Sequence, residues 1–144
     1  MIRIRTYALA IAFTGLLFTS CKKEGDKTIA PTRENLAGSY KLVSIKYKTS
    51  STPEVEVKDE ILDDCQKDDI FTLNSNMSFT YVDAGVQCDP SGSYSDNWVL
   101  EGNTISFDMF EMPITKFDGK TLVGSTTEVE GGISFTYTIT FSKQ

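Results

Sequence analysis

The chain has 144 residues, with 14 basic and 20 acidic side chains, a formal net charge of −6 and no histidine. An acidic chain is poorly suited to nucleic acid or to anionic headgroups, because both attract an excess of Lys and Arg. The lack of histidine excludes a Ser-His-Asp or Cys-His relay and any zinc or haem site with a histidine ligand. We therefore predict no nucleic-acid partner and no cofactor.

The first 20 residues have the pattern of a secretory signal peptide. Arg3 and Arg5 precede an apolar run of 12 residues at positions 7–18. About 20 apolar residues are needed to cross a bilayer as a helix, so this run is too short to span one. A buried N-terminal helix is the alternative, but such a helix alternates apolar with polar positions at a period near 3.6, and this run is apolar throughout.

Residues 17–23, with the sequence Leu-Phe-Thr-Ser-Cys-Lys-Lys, resemble the lipobox of bacterial lipoproteins, with Phe18 where the usual pattern has Leu. The resemblance implies a diacylglyceryl thioether on Cys21, cleavage before it, and an amino group acylated with a fatty acid such as palmitate. Two or more lipid chains anchor a protein stably where one does not. A lipoprotein of the cell envelope is therefore expected, held on the outer membrane at its periplasmic or surface face. Ordinary signal cleavage is the alternative.

The polar residues 21–34 follow the signal and are predicted to form a flexible linker. Residues 35–144 remain as one domain of ordinary size. Cleavage before Cys21 would remove Arg3 and Arg5 and no acid, which leaves 12 basic and 20 acidic residues and a net charge of −8. The mature protein is therefore more acidic than the full chain.

Three cysteines are present, and a lipid on Cys21 leaves Cys65 and Cys88. Two remaining cysteines in an exported chain favour a disulfide. Two free thiols are the alternative, and a metal site with two thiolates is a third reading.

Short runs of β-branched and aromatic residues between turn residues predict a domain built of strands. One helical turn is predicted at residues 34–37 and a short strand at Val55 and Val57. Tyr94, Trp98 and Leu100 are predicted on one face of their strand. The other predicted strands cover residues 38–47, 70–73, 77–82, 93–100, 104–107, 112–117, 121–127 and 133–142.

The last predicted strand has the clearest pattern in the chain. Apolar residues alternate with Ser and Thr without interruption, and side chains on a strand point to opposite faces in turn. One face therefore carries a stripe of large apolar residues and the other a row of hydroxyls. The apolar stripe comprises Ile133, Phe135, Tyr137, Ile139 and Phe141.

Residues 59–69 form the most acidic segment, with five aspartates. Carboxylates close together can bind calcium. The Asp-x-Asp-x-Asp-Gly spacing of an EF-hand loop is absent, however. We predict a solvated loop held in place by Cys65, with a calcium site as the alternative.

Turns of two to four residues rich in Gly, Asn and Asp join most successive strands from residue 70 onward, which predicts hairpins and hence a meander. An immunoglobulin-type sandwich needs long crossovers, and only residues 49–53 and 83–91 are long enough. Closing a meander removes its exposed edges. The sequence thus predicts an all-β fold, a small up-and-down antiparallel β-barrel of about eight strands, as a monomer. Such an interior is filled by side chains or holds one small ligand.

The chain from about Leu36 to the C-terminus resembles the lipocalin-like lipoproteins common in Bacteroidetes. The residues that carry the resemblance are 36–42, with Tyr40 in place of the Trp of the lipocalin Gly-x-Trp, then 64–69 with 71–73, Cys88-Asp89, and 92–94 leading to Trp98. The resemblance implies a calyx-like barrel with a disulfide.

Two functions are consistent with an anchored barrel. The first is binding of a small hydrophobic or amphipathic ligand inside it, with Phe79, Tyr81, Trp98, Phe135 and Tyr137 as candidate ligand-binding residues; packing in the core is the alternative for each. The second is a non-catalytic interaction module that binds a protein or glycan through its loops or its Thr-rich outer face. We predict no enzymatic activity and no catalytic residue. An enzyme without histidine would depend on carboxylates such as Asp68, Asp69 or Asp96.

Overall fold

The computed structural model describes residues 28–144, so the predicted signal peptide and Cys21 lie outside the described residues. Ten strands and two short helices make up this part of the chain. The helices are α1 (Arg33–Leu36) and α2 (Lys58–Ile61), with a 3₁₀ turn at Asp64–Gln66. The strands are β1 (Gly38–Thr49), β2 (Val55–Glu56), β3 (Ile70–Leu73), β4 (Ser78–Val82), β5 (Tyr94–Asn97), β6 (Val99–Glu101), β7 (Thr104–Phe107), β8 (Phe110–Phe117), β9 (Thr121–Glu130) and β10 (Ile133–Lys143).

The strands form one antiparallel sheet in the order β5-β4-β3-β1-β10-β9-β8-β7-β6. The first strand, β1, lies in the middle of this order, because it pairs with both β3 and β10. All other neighbours are consecutive hairpins, and β2 pairs with the outer half of β1. The predicted meander is confirmed.

The barrel is nearly closed where the two end strands of the sheet meet, with a single residue between them. Strands β5 and β6 stand at the two ends of the sheet order but are separated in the chain only by Trp98. The predicted strand 93–100 is thus one extended segment that pairs first with β4 and then with β7. Counting β5 and β6 as one and leaving β2 aside gives eight strands, as the sequence predicts.

The interior is filled by apolar side chains that alternate along the strands. On β10, Phe141 is fully buried and Tyr137 and Ile139 pack against the core, but Ile133 is 44% exposed. The predicted stripe is therefore buried at its C-terminal end, at Phe141, and exposed at its N-terminal end, at Ile133. The fully buried side chains include Leu36, Tyr40, Leu73, Phe79, Trp98, Ile105, Met112, Phe117, Leu122 and Phe141.

The acidic segment 59–69 is more ordered than a solvated loop. It contains part of α2 and the 3₁₀ turn, and it ends at Asp69, which is 1% exposed. Asp69 is buried because its carboxylate accepts hydrogen bonds from the Tyr81 hydroxyl and, at 3.0 Å, from the Ala84 N–H. Within residues 28–144, no group of three or more His, Cys, Asp or Glu side chains is arranged to hold a metal ion.

The predicted disulfide is confirmed: Cys65 and Cys88 are bonded, with their Cα atoms 5.1 Å apart. It joins the segment between β2 and β3 to the loop between β4 and β5. Among the described residues, no helix has the length and apolar character needed to cross a membrane.

Candidate functional site

The two ends of the barrel are covered differently. At the end where β1 begins, α1 places Leu36 over the interior, and the Tyr40 hydroxyl donates a 2.6 Å hydrogen bond to the Leu36 carbonyl oxygen. Trp98 fills the same end, with its Nε1 donating to the Asn74 carbonyl oxygen at 2.8 Å. We call this the closed end. The opposite end, where β3, β8 and β10 begin, is the cavity end.

A cavity of about 30 Å³ lies at the cavity end. Small-molecule pockets commonly measure about 300–1,000 Å³, so this cavity has room for only one end of a ligand. Most of its wall is apolar, with a carboxylate, an amide and a phenol hydroxyl as polar groups. The lining residues are Leu42, Leu62, Gln66, Phe71, Tyr81, Asp108, Met109 and Phe110.

The cavity is small because aromatic rings fill the space beneath it. The Phe71 ring lies 5.4 Å from the ring of Tyr81, 5.9 Å from Phe110 and 5.6 Å from Phe141, measured between centroids. Phe110 and Phe141 also meet edge to face at 5.2 Å. Such pairs are favourable beyond the area they bury, so the floor of the cavity is firmly packed.

The cover of the cavity comes from the segment between β2 and β3, which supplies Leu62 and Gln66. This segment is fixed by the disulfide to the loop after β4. Asp83 holds that loop from inside, because its carboxylate accepts hydrogen bonds from the N–H groups of Cys88 at 3.1 Å and Gly92 at 3.1 Å. Burial raises the pKa of Asp83, but these two hydrogen bonds and a third from the Ser91 side chain outweigh burial and leave the pKa below its usual value. The carboxylate is therefore charged in the folded protein near neutral pH.

Two tyrosine–carboxylate pairs form the polar side of the cavity end. The Tyr81 hydroxyl donates to Asp69 and the Tyr94 hydroxyl donates to Asp108, and the two rings lie 5.3 Å apart. Burial is the main cause that raises the pKa of both phenols above the usual value, and the neighbouring carboxylates add to it. Both phenols therefore stay protonated as donors, and the cavity end carries negative charge.

The structure separates the five candidate ligand-binding residues into four places. Tyr81 lines the cavity, and Phe79 lies in the core, its ring 6.4 Å from that of Phe71. Trp98 is buried at the closed end. Phe135 and Tyr137 form a second cluster with Tyr47, at 6.4 and 5.0 Å between ring centroids, and Tyr137 also packs against the core.

Sequence reasoning did not assign most of the cavity lining. Phe110 lies two residues ahead of the predicted strand 112–117, and the alternation Phe110, Met112, Ile114 was the signal that could have included it. Leu62 and Gln66 lie in the segment expected to be solvated. Asp108 lies in a two-residue turn with a positive φ of 53°, a position that carries no sequence signal for a binding site.

Two of the three carboxylates considered for acid–base chemistry belong to the framework of the cavity end. Asp68 accepts the N–H of Val86 at 3.1 Å, and Asp69 accepts from Tyr81 and Ala84. Asp96 stands apart on β5, opposite Phe79, and accepts from the N–H of Asn97. The structure thus brings Asp68 and Asp69 together and leaves Asp96 outside their network.

Residues 36–143 match the family model of the lipocalin-like domain, which is three quarters of the chain. The chain belongs to the lipocalin-like domain family. The fold class and the resemblance to lipocalin-like domains are confirmed. Neither a curated protein nor a solved structure matches the chain. A lipocalin-like barrel is consistent with non-catalytic binding of a small ligand.

Proposed function

We propose that this lipocalin-like protein is a lipid-anchored protein of the cell envelope that binds a small hydrophobic or amphipathic ligand without catalysis. The observation that carries the proposal is the cavity over Phe71 and Phe110, whose wall is mostly apolar and includes three polar side chains. Apolar walls with a few placed polar groups are the usual composition of small-molecule sites. The ligand would be held by burial of its apolar end and oriented by its polar end.

The size and charge of the cavity narrow the ligand class. About 30 Å³ accepts a short alkyl end or part of one ring, so the rest of the ligand would lie over Met109, which is 76% exposed. Asp108 is the one carboxyl group in the lining, and it lies on the exposed side of the cavity. A neutral or cationic polar end is therefore favoured over a carboxylate or phosphate, since like charges repel.

The position of Ile29, close to the first described residue, supports an orientation on the membrane. Ile29 donates its N–H to the Phe117 carbonyl oxygen at 2.8 Å, at the closed end. The eight residue-to-residue steps from Cys21 to Ile29 span at most about 30 Å. A lipid on Cys21 would thus hold the closed end near the membrane, with the cavity opening away from it.

The test is a titration of the full chain, in mild detergent, with the neutral apolar fluorophore N-phenyl-1-naphthylamine. Met109→Asp places a charge at the mouth without disturbing the core, and we expect it to weaken probe binding by about tenfold, since burying an unpaired charge is costly. Val99→Asp, on the exposed side of β6, is the matched control and should bind as the wild type does. Organic extracts of protein purified from its native membrane should contain the ligand by mass spectrometry.

Two results would overturn the proposal. The first is equal probe affinity in the wild type, Met109→Asp and Val99→Asp. The second is a wild type that binds no probe and yields no extracted molecule. Circular dichroism of each variant separates loss of binding from loss of fold.

A further inference from the structure

Strand β9 is paired on both sides for only part of its length. Strand β10 pairs with all of it, from Ser142 opposite Thr121 to Ile133 opposite Glu130. Strand β8 pairs with β9 only up to Gly124, which lies opposite Ile114. In the part of the chain that the structure describes, residues 125–130 therefore have a strand on one side and none on the other.

The direction of the backbone groups along this edge follows from one contact. The Val123 carbonyl oxygen accepts the Thr115 hydroxyl at 3.2 Å and so points towards β8. Backbone groups of alternate residues on a strand point to the same side, and the pairing with β10 has no register shift. The N–H and C=O of Ser125, Thr127 and Val129 therefore point to the open edge, ready for another strand.

The side chains beside the edge are acidic and apolar. Glu128 lies opposite Phe135 and Glu130 opposite Ile133, so each carboxylate shares a face with a large apolar side chain on β10. No ion pair or hydrogen bond involves either glutamate side chain within residues 28–144. Val129 points to the other face and is 71% exposed.

We propose that this edge of β9 binds an extended basic segment of a partner protein, which adds to the sheet as a further strand. Strand addition to a free sheet edge takes its affinity from backbone hydrogen bonds and its specificity from alternate side chains. Lys or Arg side chains at alternate positions would lie next to Glu128 and Glu130.

The charges at the edge favour a basic partner over a second copy of this chain. A two-fold antiparallel pairing centred on Val129 would set Glu128 opposite Glu130 of the other copy, and like charges directly opposite destabilise a strand pair. The net charge of −6 adds to this repulsion. A basic segment removes the repulsion and gains two attractive cross-strand pairs.

The test uses two capped eight-residue peptides, one alternating Lys with Val and one alternating Glu with Val, and the full chain in mild detergent. We expect the basic peptide to bind and to slow amide hydrogen exchange at Ser125, Thr127 and Val129. The acidic peptide should not bind. Val129→Pro removes one edge N–H from an exposed position and should weaken binding of the basic peptide.

Reversing the charges at the edge is a more specific test than Val129→Pro. Glu128→Lys combined with Glu130→Lys should lower affinity for the basic peptide about tenfold or more and create affinity for the acidic one. Glu101→Lys with Glu111→Lys changes the net charge equally at exposed sites elsewhere and should bind the basic peptide nearly as the wild type does.

Several outcomes would overturn the inference. Equal losses in the two charge-reversed variants would show attraction to net charge rather than to the edge. Equal binding of the two peptides, or exchange protection outside residues 125–130, would exclude strand addition here. Concentration-dependent dimers in ultracentrifugation that Val129→Pro abolishes would assign the edge to a second copy. Met109→Asp changes the turn between β7 and β8 and not the edge of β9, so it should weaken binding of the fluorophore and leave peptide binding unchanged. Failure of this proposal and failure of the proposed function are therefore distinguishable.

Discussion

The indole Nε1 of Trp98 donates a 2.8 Å hydrogen bond to the carbonyl oxygen of Asn74. The backbone N–H of Trp98 also donates to the Met77 carbonyl oxygen at 2.9 Å. One residue therefore ties the point where the chain changes from β5 to β6 to the turn between β3 and β4. This double contact fixes the junction of β5 and β6 at the closed end of the barrel.

Trp98→Phe should destabilise the fold although it keeps an aromatic ring. The substitution leaves the Asn74 carbonyl without its donor and a gap where the larger ring was. We expect the free energy of unfolding to fall by about 2–4 kcal/mol. Urea unfolding followed by circular dichroism measures it, because Trp98 is the only tryptophan and fluorescence is lost with it. Val99→Ala is the neighbouring exposed control; an equal effect of the two substitutions would contradict the role of Trp98.

Tyr40→Phe tests how α1 closes the barrel. The substitution removes the hydroxyl that bonds the Leu36 carbonyl oxygen and leaves that buried acceptor unsatisfied. We expect a loss of about 1–2 kcal/mol in the free energy of unfolding. Tyr47→Phe is the matched control, since the Tyr47 hydroxyl makes no hydrogen bond within the described residues. Equal stability of the two variants would contradict the proposed closure.

The stabilising effect of the Tyr40 hydroxyl should depend on pH in the alkaline range. Burial raises the pKa of the Tyr40 phenol above its usual value near 10. The folded protein therefore holds this proton more tightly than the unfolded chain does, and stability falls as pH rises above about 10. Tyr40→Phe lacks this loss, so its difference from the wild type should shrink between pH 9 and pH 11 in urea unfolding. A constant difference would contradict the prediction.

Removal of the disulfide should weaken the domain and free the cover of the cavity. The bond closes a loop with a sequence separation of 23, and for that length the chain-entropy relation gives about 3 kcal/mol. Cys65→Ser with Cys88→Ser should lower the free energy of unfolding by this amount. Wild type treated with a reductant should reproduce the urea curve of the variant. Wild type that unfolds identically with and without reductant would contradict the prediction.

Lipidation of Cys21 is tested directly by metabolic labelling with a radioactive fatty acid. We expect label in the wild type and in Cys65→Ser, and none in Cys21→Ala, because the thioether needs the Cys21 sulfur. Fractionation should also move Cys21→Ala from the membrane to the soluble fraction of the envelope. Equal label in wild type and Cys21→Ala would exclude the lipoprotein assignment.

The sequence by itself determined the strands and most of their turns. Alternation in residues 133–142 fixes which face each side chain takes, because the period of a strand is two. The Gly131-Gly132 pair, with φ values of 59° and 82°, makes a tight turn that few other residues allow. Cysteine count and the N-terminal pattern led to the Cys65–Cys88 bond without any knowledge of distances. The strands and turns are local properties, so neighbouring residues decide them, and the disulfide followed because lipidation of Cys21 leaves only two cysteines to pair.

Only the tertiary structure decided how deep each side chain lies along the barrel axis. Alternation gives Phe135 and Phe141 the same face, yet Phe141 is buried and Phe135 lies in the cluster with Tyr47. Trp98 and Tyr81 carry similar sequence signals, yet they lie at opposite ends. The depth of a side chain depends on where the neighbouring strands begin and end. The pairing of β8 with β9 ends at Gly124, and the earlier part of β8 pairs only with β7. The end of this pairing creates the free edge of β9. No local sequence pattern records where the pairing with a neighbouring strand will end.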